Sequence, residues 1–205
     1  MKLSSLALLL GFLMILPSVY GVLKPEAFRE AARKFPRYTP AGYVLMLAAT
    51  LWFLYNLSLE QVSDFMTFKP ALYALFGAVG IGACLFVKDY LPVRGLAVLF
   101  LLFAKTMVDT ARWVDTEWRL VIVVWAYVWI VAGMWLTVSP WRLRDLIDWA
   151  TSTPQRTRLL NGIRLGFGVF IVLLGLTVYR NAETQAIGGH SAQFENETEL
   201  TAARH

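Results

Sequence analysis

Six apolar runs alternate with short polar connections along this chain, at about 3–23, 41–59, 70–87, 91–109, 119–138 and 162–179. A helix rises 1.5 Å per residue, so roughly 20 residues cross a hydrocarbon layer of about 30 Å. The pattern predicts an all-α membrane protein: a six-transmembrane-helix bundle occupying residues 1–180 as one unit. From 181 to 205 the composition turns polar and acidic, with Glu195, Glu197 and Glu199, and predicts a disordered tail. Starting the fourth run at Leu91 rather than Arg94 leaves both Arg94 and Lys105 within about a turn of an end, where long side chains reach the interface. Residues 1–21 could instead be a cleaved signal peptide. Val19-Tyr20-Gly21 lacks the small-residue cleavage pattern, so a retained first span is expected.

Two of the connections carry a helical pattern of their own. Pro25 opens one and Pro36 stops it; Ser139-Pro140 opens the other and Pro154 stops it. Phe28, Ala31, Ala32 and Phe35 share one face of the first, and Leu143, Leu146, Ile147 and Ala150 one face of the second. Both are expected as short amphipathic helices lying in the plane of the membrane interface. Basic residues follow each stop, and Gly42 or Gly162 then opens the next span. This span–Pro–basic helix–Gly–span order, over 5–55 and 125–180, resembles small uncharacterised two-helix bacterial membrane proteins. The resemblance implies hairpins and no activity. Duplication and convergence both account for the likeness between the two halves.

Charge sets the orientation. The chain has 205 residues, 58% hydrophobic and 16% charged, with a net charge of +5; soluble domains carry about a quarter charged residues. The connections 24–40 and 139–164 each carry +3 and 88–94 carries +1, against −1 for 59–69, 0 for 105–119 and −2 for 180–205. Positive loops stay inside, so both termini are expected outside, in a bacterial cytoplasmic (inner) membrane. Arg29, Arg33, Lys34, Arg142, Arg156 and Arg158 are expected to face anionic lipid headgroups. Positive charge placed beside spans points to lipid, and no nucleic-acid partner is expected.

Candidate chemistry is sparse. His190 and His205 both lie in the tail and Cys84 is the single cysteine, so no span supplies a ligand set for haem or zinc, or a nucleophile relay. No cofactor and no metal site is expected. Lys105, Asp109 and Arg112, at i, i+4 and i+7, share one helix face. They could form a polar site for an ion or a partner's charge, or an ion-pair ladder that anchors a helix end between Trp113 and Trp118. Trp118, Trp125 and Trp129 make a stripe that could line a lipid or quinone groove or serve as packing surface and interfacial anchor. Ala74, Ala78 and Gly82, with Gly77 and Gly80, and the pair Gly162 and Gly166, with Gly168 and Gly175 further on, form small-residue faces suited to helix contacts. Asn196-Glu197-Thr198 is a glycosylation sequon in the tail. The expected function is a non-catalytic structural or assembly subunit of a membrane complex, or a homo-oligomer. The alternatives are a small transporter or channel with a polar site around Asp109, and a membrane-embedded lipid-modifying enzyme.

Overall fold

A computed structural model describes residues 2–59, 68–87, 89–114, 116–182 and 184. Most of the expected tail, with its sequon, lies outside the described residues. Those that are described form helices and short turns, with no strand among them. In chain order the helices are α1 (Leu3–Leu23), α2 (Pro25–Lys34), α3 (Thr39–Leu59), α4 (Lys69–Phe86), α5 (Leu91–Ala111), α6 (Arg119–Val138), α7 (Trp141–Ala150) and α8 (Pro154–Leu174). Six of them are long and apolar enough to cross a membrane, the number the apolar runs predict; α2 and α7 are the two ten-residue exceptions.

Local chemistry explains the helix starts. Proline occupies the first turn of α2, α4, α5 and α8, where its missing N–H breaks no helical hydrogen bond. Thr153 caps α8, its hydroxyl accepting from the Arg156 backbone N–H at 3.3 Å. Pro154 therefore opens a helix as well as following one, and α8 begins eight residues before the apolar run at 162. Only Thr151, Ser152 and Thr153 separate α7 from α8. Past Leu174 the helix widens into a π turn, Gly175–Tyr179, and continues to Ala182. There the buried Tyr179 hydroxyl donates to the Trp118 carbonyl at 2.9 Å, tying the end of α8 to the start of α6.

α1, α5, α6 and α8 enclose the main core, which includes Leu6, Leu10, Met107, Ile122, Trp125 and Ile171. α3 packs along α5, and α4 is held mainly through α3. Rings link these layers: Trp52 meets Phe103 edge-on at 4.6 Å, Phe103 meets Trp129, and Trp125 bridges Trp129 and Phe167. The tryptophan stripe of α6 is thus largely packing surface, with Trp125 buried and Trp118 half exposed.

Backbones approach closely where glycine faces a neighbouring helix. A Cβ on Gly11 of α1 would collide with Val172 and lie 3.0 Å from the Gly168 carbonyl of α8. Gly42 and Gly95 place α3 against α5 in the same way, and Gly133 places α6 against α5. Of the small residues the sequence pattern singles out, Gly80 meets Thr50 of α3, and Gly168 and Gly175 meet α1, but the others do not take part. Nothing lies within 4 Å of a Cβ built on Gly82, Gly162 or Gly166, and Ala74 and Ala78 are exposed. Within the chain, α8 turns Asn161, Gly168 and Gly175, spaced by seven, towards α1 instead. Gly162 and Gly166 fall on another side of that helix.

Candidate functional site

The two amphipathic helices meet at one end of the bundle. Carbonyls at the end of α7 lack helical donors and carry the negative end of its dipole, so cations are favoured there. α2 supplies them. Arg29 donates from Nε to the Thr151 carbonyl at 2.8 Å and from Nη2 to the Ser152 carbonyl at 3.2 Å. Arg33 donates to the Thr151 hydroxyl at 3.0 Å and to its carbonyl at 3.1 Å, and pairs with Asp148 at 3.4 Å. The Thr151 hydroxyl in turn donates to the Ile147 carbonyl at 2.7 Å. Arg156, from the first turn of α8, lies 4.8 Å from the Trp149 ring centre and donates to the Ser152 hydroxyl at 3.1 Å. Three arginines from two helices therefore converge on the last turn of α7.

This clamp changes the reading of the basic loops. Arg29, Arg33 and Arg156, expected to face lipid, are engaged with the protein's own carbonyls, hydroxyls and Trp149. Lys34 pairs with Glu30, and that charge and hydrogen bond hold the Glu30 carboxyl below its ordinary range. Arg142 and Arg158 are exposed, with no ion pair to a described residue.

Beneath the clamp lies a pocket of about 220 Å³ between α2, α7 and α8. Phe28, Ala32, Leu146, Ile147 and Leu160 make its apolar walls, and Arg164 and Asn161 also line it. The amphipathic pattern is satisfied here, since apolar residues of both short helices face the pocket. Asn161 is buried and donates to the Thr157 carbonyl at 2.9 Å, while its carboxamide fills the space over Gly21 of α1. Arg164 was legible in the sequence only as one more loop charge. Its i, i+3 spacing from Asn161 was the available signal, obscured by the more familiar Gly162–Gly166 motif between them.

At the opposite end of α5, Lys105 and Asp109 form the expected ion pair at 2.9 Å, each about half exposed (47% and 51%) on the outer surface of the bundle. Arg112 is exposed and does not join them. The hydroxyls and amide that could have lined a polar path are each bonded within their own helix. Thr50, Asn56, Thr106, Thr137 and Thr177 all donate to the carbonyl four residues earlier. Among the described residues, no group of three or more His, Cys, Asp or Glu is placed to hold a metal ion. Comparison with known proteins finds no matching family model, no matching curated protein and no matching solved structure.

Proposed function

We propose that this chain is an integral membrane protein whose role is structural: an assembly subunit that contacts other helices in the bilayer and performs no chemistry of its own. The observation that carries the reading is the pair of small-residue faces the chain does not use. Ala74, Ala78 and Gly82 on α4, and Gly162 and Gly166 on α8, look away from the other described helices. In lipid, close backbone approach at such faces drives association, because tails offer no hydrophobic gain over a neighbouring helix. α3 and α4 are also the least buried spans and α5 the most, so the α3–α4 flank is open to lipid or to a partner. The membrane setting is supported by the many large apolar side chains on the surface, such as Leu16, Leu51, Phe86 and Val131, which far exceed what a soluble monomer exposes.

Local bonding of the span hydroxyls and the outward placement of Lys105 and Asp109 weigh against the transporter alternative. Under the assembly reading this ion pair anchors a helix end or meets a partner's charge. The basic end of the bundle, with α2 and α7, lies on the cytoplasmic side of a bacterial inner membrane, and both termini lie outside.

In a Cys84→Ala background, Gly162→Cys in native membranes should give a crosslinked species of defined mass. Ser152→Cys should be protected from an impermeant thiol reagent that labels Ser191→Cys. A chain that stays monomeric at Gly162→Cys, and in liposomes carries a specific flux that Asp109→Asn abolishes, would sink the assembly reading and promote transport.

A further inference from the structure

The basic end of the bundle has more cations than its own acids can neutralise. Its four acidic residues on α2 and α7 are all committed: Glu26 to Arg29, Glu30 to Lys34, Asp145 to Arg144 and Asp148 to Arg33. Arg164 pairs with none of them and makes no hydrogen bond to a described residue. It is exposed and lines the 220 Å³ pocket, six of whose nine lining residues are apolar. A guanidinium left without an anion beside apolar walls is matched by a ligand that combines one anionic group with hydrocarbon. A free inorganic anion matches only the first half, and a neutral lipid only the second.

We infer that this pocket binds a single anionic phospholipid, its phosphate paired with Arg164 and its chains leaving along the apolar faces of α2 and α7. The volume suits a phosphate headgroup with its first methylenes and excludes whole acyl chains. Bound there, the lipid bridges α2, α7 and α8 beneath the arginine clamp, so it reports on the joint placement of the two amphipathic helices. The inference rests on the membrane placement proposed above but not on the presence of a protein partner. Flotation of the purified chain with vesicles tests that placement separately.

The test is native mass spectrometry of the full chain in mild detergent, titrated with dioleoyl phosphatidylglycerol, dioleoyl phosphatidylcholine or inorganic phosphate. The wild type should bind its first phosphatidylglycerol about tenfold more tightly than phosphatidylcholine, the size of one charge-assisted contact. Arg164→Gln should remove that preference and Arg164→Lys restore part of it. Arg158→Gln, on a different face of α8 and equal in charge loss, should change affinity less than about twofold. Should Arg164→Gln fail to fold, Ala32→Leu narrows the pocket while keeping every charge and is expected to weaken phosphatidylglycerol binding. Equal affinity for the two lipids, equal losses at Arg164 and Arg158, displacement by millimolar inorganic phosphate, or unchanged binding by Ala32→Leu would each overturn the inference.

Discussion

The seam between α1 and α8 and the seam between α3 and α4 both rest on a glycine, but the glycines meet different things. Gly11 of α1 faces backbone: the Gly168 carbonyl and the Val172 nitrogen, besides the Val172 side chain. The three atoms nearest a Cβ on Gly80 of α4 all belong to the Thr50 side chain, whose hydroxyl is bonded to the Met46 carbonyl. Backbone held in a helix cannot yield, whereas the Thr50 Oγ1 and Cγ2 can turn away at the expense of one rotamer and one hydrogen bond, leaving the Thr50 Cβ, 2.9 Å away, as the fixed part of the contact. Gly162 and Gly166 meet nothing. A small residue thus shapes this bundle through what lies opposite it, and the sequence motif around it is a poor guide to that.

Three substitutions grade the comparison. Gly11→Leu forces α1 and α8 apart along their whole crossing and should destabilise the bundle by about 3 kcal/mol or more. Gly80→Leu should lose about 1–3 kcal/mol, because the nearest obstacle, Thr50, is β-branched and stiff but two of its three close atoms can turn away. Gly166→Leu should stay within about 0.5 kcal/mol in dispersed protein and act only on association. Thermal unfolding in one detergent ranks all three. A loss for Gly166→Leu matching that of Gly11→Leu would erase the distinction between the used and unused faces.

The arginine clamp sharpens the contrast from the polar side. Its binding site is also backbone, but charge rather than close contact joins the elements. Arg29 is the better shielded of the pair, 18% exposed against 45% for Arg33. Replacing Arg29 by alanine should cost about 1–2 kcal/mol, after allowance for solvent on the Ser152 side, and replacing Arg33 less. Hydrogen exchange at the end of α7 should quicken before the α1–α8 seam does. Uniform quickening across both regions would show that the clamp is not a local device.

The smallest effect belongs to Glu30 and Lys34, on the exposed side of α2. Because Lys34 holds the Glu30 carboxyl below its ordinary range, the pair contributes above that range and its contribution is lost as pH falls through the lowered value. Glu30→Gln should therefore differ slightly from wild type at neutral pH, and the difference should vanish in acid. A gap that widens on acidification has the wrong sign for this account.

The sequence by itself determined the all-helical class, the number of long apolar helices, the start of α5 at Leu91 and the existence of α2 and α7. Those features follow from period, length and proline placement, which are local and survive without neighbours. Tertiary structure decided which helices touch. A helix presents a new residue every 100° or so, so Asn161, Gly168 and Gly175 face α1 while Gly162 and Gly166, one or two positions away, face outward. The chain's two like hairpins show the same limit. Gly42 and Gly162 occupy equivalent places in the pattern, yet Gly42 is pressed against Leu91 and Pro92 and Gly162 against nothing. Charges behaved likewise: composition counted Arg29, Arg33 and Arg164 as equal, and only the meeting of α2 with α7 turned two of them into caps and left the third facing a pocket.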